Sequence, residues 1–328
     1  MPVILNLDQI KDALKRVDPV TGIIQTIAEG FIAYSRGQVV VPPVGELVFD
    51  EGRGDCHIKY GYIKDDDYFV IKVAAGFYDN PKIGLPTTFG LMLLFSQKTG
   101  EVISVLLDEG YLTQVRTAAA GAVVGKHFAP QKISRVGIFG AGVQGRMQLE
   151  YLRYVREFDD VIVWGINQEE LDGYKADMEP RGFRIKTTRD PEEIASTANV
   201  IVTATPSHAP LLRADQVRRG THITAMGSDT ADKQELDPAI LKKADRVVVD
   251  SIPQSLLRGE VFKALTAGAI KKENLVELGA ALSDPKLQRQ SDDETTVVDL
   301  TGVAVQDIQI TKAVWKVAGA AQKKVQPK

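Results

Sequence analysis

The sequence predicts an α/β protein, a doubly wound parallel sheet preceded by a domain of α+β type. Three observations carry this reading. Near residue 140 an apolar strand runs straight into a glycine-rich turn and a helix, and beyond it apolar runs alternate with amphipathic stretches. Before it, short segments alternate apolar and polar residues between turn signals.

In chain order, His57-Ile-Lys-Tyr-Gly-Tyr-Ile63, Tyr68 to Val73, Leu91 to Phe95 and Val102 to Leu107 read as strands. Asp65-Asp-Asp67 and Gln97-Lys-Thr-Gly100 are the turns between them, so the sheet is expected to be mostly antiparallel. Thr113 to Phe128, rich in small residues from Thr117 to Val124, reads as a closely packed helix that ends at Ala129-Pro130 and joins the two domains.

The next stretch is Arg135-Val-Gly-Ile-Phe-Gly-Ala-Gly-Val-Gln-Gly-Arg146. Val136, Ile138 and Phe139 suit a strand covered on both faces, and Gly140, Gly142 and Gly145 have the G-x-G-x-x-G spacing. These glycines serve a tight turn, close backbone approach to a pyrophosphate, and close packing of helix on strand. The helix from about Val143 to Val155 would aim its N-terminal N–H groups at phosphates. The turn therefore implies NAD(P) or a flavin.

Val161 to Trp164, Arg184 to Lys186, Asn199 to Thr203, His222 to Met226 and Arg246 to Asp250 continue as strands. Glu169 to Met178, Pro191 to Ala198 and Pro238 to Ala244 are the helical stretches among them. This βαβ alternation predicts a Rossmann-type domain over 130–301. After the strand-like Thr296 to Leu300, the segment Gly302 to Gln322 has helical spacing at Val305, Ile308, Ile310, Val314 and Val317. It is expected to return to the first domain, which is then discontinuous (1–129 and 302–328), with a polar, frayed end from Gln322 to Lys328.

The 328 residues, 44% hydrophobic, suffice for two cores. A net charge of −3, with no Lys/Arg cluster interleaved with aromatics, argues against nucleic-acid binding. No apolar run reaches membrane-helix length, and the start Met-Pro-Val-Ile-Leu-Asn-Leu-Asp lacks a basic segment and cleavage site, so a cytoplasmic location is expected. One cysteine, Cys56, excludes an internal disulfide, and four scattered histidines without C-x-x-C or H-E-x-x-H make a zinc site unexpected. The chemistry is left to Lys, Arg, Asp and a cofactor.

Several blocks in fixed order go further: Ile71-Lys-Val73, Asn80 to Pro86, Thr99-Gly-Glu101, Leu112 to Ala120, the glycine turn, Ala225 to Thr230, Lys233 to Leu236, Glu277-Leu-Gly279 and Leu300-Thr-Gly302. Together they resemble the ornithine cyclodeaminase/μ-crystallin family, which includes cyclodeaminases, archaeal-type alanine dehydrogenases and ketimine reductases. The resemblance covers nearly the whole chain. It implies a first domain that carries substrate residues and forms a homodimer, and a Rossmann domain that holds NAD or NADP.

On its strand Lys72 shares a face with Val70, opposite Ile71 and Val73. A lysine there is ordinarily solvated; the resemblance implies instead that it contacts the substrate and transfers a proton, a role that desolvation would assist by lowering its pKa. Asp229 follows the strand His222 to Met226, where α/β sheets place ligands. The ordinary reading is a turn or helix-capping aspartate; the resemblance implies an acid/base, which the μ-crystallin branch has replaced. Arg116 is either an interdomain salt-bridge residue or, by resemblance, the arginine that binds the substrate carboxylate beside the cofactor.

Two positions depart from the cyclodeaminase pattern. Val44 follows Pro42-Pro43 where many members carry arginine, and Lys59 stands thirteen residues before Lys72, where the ornithine enzyme has a glutamate for the distal amino group. A cation at 59 would repel ornithine's terminal ammonium and attract a carboxylate, although Lys59 also fits an exposed strand position. Lys82 is expected in an exposed loop, and Cys56 and His57 are expected to be structural.

The implied cofactor contacts are Arg116, Thr117, Gly140, Gly142, Val143, Gln144, Gly145, Asn167, Thr205, Gly227 and Thr301. The second strand of the nucleotide-binding domain is read to end at Asn167, with neither an acid nor an arginine pair, which leaves NAD and NADP both open. The leading expectation is an NAD(P)-dependent oxidoreductase acting on the C–N bond of a small amino or imino acid. Ornithine cyclodeamination is one alternative. A non-catalytic NADP(H)-binding protein like μ-crystallin is another, and Lys72 and Asp229 argue against it.

Overall fold

The computed structural model describes residues 1–49, 54–77 and 79–323, apart from the side chains of 81 and 321–323. The chain divides into two units, Met1–Thr117 with the segment from Val303 onward, and Ala118–Gly302.

The first unit begins with β1 (Val3–Leu5), α1 (Leu7–Leu14), a π-helical turn over Pro19–Ile24 and α2 (Gln25–Ser35). A capping box fixes the start of α1: Asn6 Oδ1 accepts from the Gln9 N–H and Gln9 Oε1 from the Asn6 N–H, both at 3.0 Å. The sheet follows with β2 (Val39–Val40), β3 (Gly45–Phe49), β4 (Gly54–Ile63), β5 (Tyr68–Phe77), β6 (Thr88–Ser96) and β7 (Val102–Leu106). Its order is β1-β7-β6-β5-β4-β2, with β3 also on β4, and every pair is antiparallel except β1 with β7. The turn from β4 to β5 carries Asp65 at φ 63°, a left-handed conformation that aspartate tolerates. Helix α3 (Tyr111–Phe128) starts two residues earlier than the small-residue run suggests, because Asp108 caps it through the Leu112 N–H at 2.8 Å.

The second unit contains β8 (Val136–Phe139), α4 (Val143–Arg153), β9 (Asp160–Trp164), α5 (Gln168–Met178), β10 (Arg184–Thr188), α6 (Pro191–Thr197) and β11 (Val200–Thr203). Next come β12 (His208–Leu212), β13 (His222–Ala225), β14 (Gln234–Leu236), α7 (Pro238–Lys243), β15 (Arg246–Val249), α8 (Ile252–Ser255) and α9 (Gly259–Thr266). The unit closes with β16 (Leu275–Glu277), α10 (Leu278–Ser283) and β17 (Thr296–Asp299). Eight strands form one all-parallel sheet, ordered β10-β9-β8-β11-β13-β17-β15-β16, while β12 and β14 pair separately. The residues of β8, β11, β13 and β17 are all buried, as a sheet covered on both faces requires. Asp190-Pro191 and Asp237-Pro238 start α6 and α7, each aspartate accepting a backbone N–H with proline in the first turn.

Chain order reverses between β8 and β11, so the crevice at their carboxyl ends is the expected ligand site of such a sheet. The last strand, β17, does not stand at an edge; it lies between β13 and β15. Strand β9 stops at Trp164 rather than at Asn167, because the Asn167 side chain turns back to accept the Glu169 N–H at 2.9 Å and caps α5.

The final helix, α11 (Val305–Lys323), belongs to the first unit and packs on β4, β5 and β6, with α1 and α2 against it. For the expected frayed end, the last five residues lie outside the described set. Among the described residues, no helix is long and apolar enough to cross a membrane.

Candidate functional site

In the first unit, three cations and a carboxylate meet beneath α11. Lys59 on β4 and Lys72 on β5 are direct cross-strand partners, and Met92 on β6 and Leu106 on β7 continue the row. The row lies on the buried face, where Lys59 is 5% and Lys72 2% exposed, so Lys59 is not the solvated strand residue that its sequence also allows. Like charges placed opposite each other destabilise a sheet, and the helix supplies a countercharge. Asp307, in the first turn of α11, sets Oδ1 3.3 Å from Lys72 Nζ and 3.0 Å from Arg116 Nε. Arg116 also donates from Nη1 to Gln306 Oε1 at 3.0 Å, so two neighbouring residues of α11 orient its guanidinium.

Burial lowers the Lys72 pKa from 10.5 to about 7; Asp307 opposes the shift, and Arg116 and Lys59 reinforce it. Ammonium and free amine are therefore both populated near neutral pH, as proton transfer at a catalytic group requires. Asp108, buried at the start of α3, has its carboxyl pushed upward by burial, against the pull of its N–H donors and of Lys72.

The other sequence candidates of this unit stand apart from the cluster. Lys82 is a surface residue, 72% exposed, in an ion pair with Asp79 at 2.8 Å. His57 Nε2 lies 3.1 Å from Glu46 Oε1 across the β3–β4 pair. Thr117 returns its hydroxyl to the Thr113 carbonyl at 2.8 Å within α3.

In the second unit the glycine turn follows β8 directly. Gly140 has φ +113°, and a Cβ there would lie 2.7 Å from the Ala204 carbonyl oxygen; one on Gly145 would lie 2.1 Å from the Gly140 oxygen. The fold itself thus demands glycine at the first and third positions. At Gly142 a Cβ would meet nothing within 4 Å, so the fold imposes no such demand on the second. That open approach, at the N-cap of α4 where no side chain caps the helix, fits the pyrophosphate of a dinucleotide.

Arg146 braces the turn. Its guanidinium donates to the carbonyls of Ala141 and Gly142 and to Asp177, and lies 4.8 Å from the Tyr174 ring centre. Tyr174 in turn donates to the Gly145 carbonyl at 2.9 Å. Val143 is exposed at the start of α4, and Gln144 accepts from Gln148 Nε2 at 3.2 Å.

The remaining candidates lie just past the carboxyl ends of parallel strands, Asn167 after β9, Thr205 after β11, Gly227 and Asp229 after β13, and Thr301 after β17. Asp229 caps no helix; Lys233 Nζ holds its Oδ1 at 2.8 Å. The Thr301 hydroxyl donates to Asp250 Oδ1 at 2.9 Å and accepts from Gln254 Nε2 at 2.8 Å.

Sequence reasoning passes over Asp307, Gln306, Arg146 and a buried glutamate, Glu235. Asp307 and Gln306 stand among other polar residues of the tail helix and carry no signal of their own. Arg146 ends the glycine block itself, but its bracing role depends on α5.

With this geometry in place, comparison with known proteins is direct. Residues 9–322 match the model of the ornithine cyclodeaminase/mu-crystallin family. The chain belongs to that family. It is 43% identical over 274 residues, 83% of each chain, to a protein described as an uncharacterized cyclodeaminase of Sinorhizobium fredii. It is 36% identical to the alanine dehydrogenase of Archaeoglobus fulgidus over 294 residues, 89% of each chain. Among solved structures, the iminosuccinate reductase of Paracoccus denitrificans in complex with NAD+ superposes with a TM-score of 0.86 at 30% identity, over 98% of this chain and 97% of that one.

Proposed function

We propose that this protein is an NAD(P)-dependent oxidoreductase acting on the C–N bond of a small amino or imino acid, as an amino-acid dehydrogenase or an imine reductase. One observation carries the reading: a buried lysine that ionises near pH 7, held with an arginine by a shared aspartate. When bound, NAD(P) would supply the hydride donor or acceptor for the substrate α-carbon.

The chain's own residues do the rest. Arg116 binds the substrate carboxylate, for which a planar guanidinium fork oriented by Asp307 and Gln306 is suited. Lys72 polarises the substrate and carries a proton, and Asp229 serves as acid/base on the nitrogen or on water. Arg116, Thr117, Gly140, Gly142, Val143, Gln144, Gly145, Asn167, Thr205, Gly227 and Thr301 hold the cofactor. Lys59, buried beside Lys72, favours an acidic or neutral substrate side chain over an ammonium. This supports dehydrogenase or reductase over ornithine cyclodeaminase, the reading that the relative described as a cyclodeaminase favours.

The sheet face of the first unit opposite Lys59 and Lys72 presents Tyr60 and Tyr62, each 37% exposed, and the stacked pair Phe69 and Phe95. An aromatic face of this kind suits burial against a second copy, which supports a homodimer. A cytoplasmic setting, with its pools of nicotinamide cofactor and free amino acids, suits the same reading.

The test is absorbance at 340 nm across a panel of amino and imino acids with either cofactor. Stoichiometric change in cofactor is expected with at least one substrate. Conversion of ornithine to proline and ammonia, at many turnovers per bound NAD, would refute it in favour of cyclodeamination.

A further inference from the structure

Glu235 is 0% exposed on β14, away from the glycine turn in sequence, yet it joins two of the loops that surround the crevice. Its Oε1 accepts the Thr205 N–H and the Thr205 hydroxyl, both at 2.7 Å, and its Oε2 accepts the Gly227 N–H at 3.0 Å. Thr205 follows β11 and Gly227 follows β13, so one carboxylate spans the ends of two neighbouring strands.

The packing around this bridge leaves no slack. A Cβ on Gly227 would lie 2.3 Å from the Thr205 carbonyl oxygen and 2.5 Å from Glu235 Oε2. On the other side, Thr205 and Ala204 abut the first glycine of the turn, where a Cβ on Gly140 would lie 3.2 Å from Thr205 Cγ2. Glu235 ties two loops together, and Ala204 and Thr205 pack the glycine turn against them. Glu235 is itself anchored from behind, since its N–H and that of Leu236 donate to the Glu260 carboxylate at 2.7 and 3.1 Å.

Only a carboxylate answers three converging donors. An amide would turn one of its own N–H groups toward Thr205 or Gly227. Burying such a group is costly; burial pushes its pKa up to about 7 against the pull of its donors. A device of that cost, placed beside the point where the strand order reverses, points to function rather than to packing alone.

We propose that Glu235 is a positioning residue for the dinucleotide, setting the distance between the loops after β11 and β13 and so the affinity of the crevice. This rests on the reading that the second unit binds NAD(P). Glu235 touches no substrate; it acts through Thr205 and Gly227.

The experiment titrates the full-length protein and its Glu235→Gln variant with NADH and NADPH by nucleotide fluorescence. The KM for the imino acid is then measured at saturating cofactor. The wild type is expected to bind at least one of the two, and the variant about tenfold or more weakly, as loss of one charge-assisted hydrogen bond implies, with the imino-acid KM within about twofold. A purely structural role would instead move both constants or neither. Wild-type protein that bound neither nucleotide would overturn the functional reading itself. A variant that bound within twofold of a binding wild type would overturn only the role of Glu235. Should Glu235→Gln not fold, Glu235→Asp keeps the charge and shortens its reach by one methylene, with a roughly threefold to tenfold weakening expected; unchanged binding would again refute the proposal.

Discussion

Replacing Lys72 by methionine separates what this residue costs the fold from what it contributes to the reaction. Methionine keeps the unbranched shape and deletes the charge. Lys72 ionises at 10.5 in the unfolded chain and at about 7 in the folded one. Between those values the unfolded chain binds more protons, so wild-type stability rises with pH across that window. The cost of the buried ammonium is therefore full below pH 7 and relieved by about 10.5. At about 1.4 kcal/mol per pH unit, the interval amounts to roughly 5 kcal/mol.

The Lys72→Met variant should accordingly be inactive, and its stability relative to wild type should be greatest at pH 6. That advantage should shrink by about 1.4 kcal/mol for each pH unit above 7, or roughly 2 °C in Tm for a chain of this size. Urea denaturation of both proteins at pH 6, 7, 8 and 9, at one protein concentration, measures it. A stability difference that stayed constant from pH 6 to 9 would refute the assignment of a depressed, buried ammonium.

Three further outcomes are expected. In the reductive direction kcat/KM should fall as pH rises through about 7, because Lys72 must deliver a proton, and in the oxidative direction it should rise; flat profiles from pH 6 to 9 would remove Lys72 as the proton carrier. Gly142→Ala should weaken NADH binding at least tenfold with an unchanged melting temperature, whereas Gly145→Ala, whose Cβ would lie 2.1 Å from a carbonyl oxygen, should lower both; equal effects of the two on stability would contradict the open approach at Gly142. Lys59→Ala should raise the substrate KM strongly with little loss of cofactor affinity, and an unchanged KM would reduce Lys59 to a structural role.

Much of the arrangement was legible in the residues. The Asp65-Asp-Asp67 turn lies midway between Lys59 and Lys72, so a hairpin closing there pairs the two lysines, as β4 and β5 do. The glycine spacing and the run of βαβ units placed the cofactor candidates at strand ends in the same way. What alternation could not give was which face of β5 is covered, because the covering helix arrives more than two hundred residues later in the chain. Asp307 was hidden for that reason: its partners are remote in sequence, and a lone acid in a tail helix signals nothing by itself. The N-terminal helices were missed because α1 is short and a π-helical turn interrupts the periodicity before α2. Glu235 belongs to a three-residue strand with no pattern of its own, and only the folded loops reveal its partners.

The position of β17 bears on how the chain can be made. Because this strand fills the gap between β13 and β15, the large sheet of the second unit stays split into two pieces until residue 299 has emerged from the ribosome. The first unit waits still longer, for α11 and the aspartate that pairs with Lys72 and Arg116. The first unit therefore cannot be completed before the whole second unit has been synthesised. Nascent chains stalled before Thr296 would expose apolar strand edges from one unit and uncovered sheet from the other, and would be clients for chaperones rather than half-built enzymes.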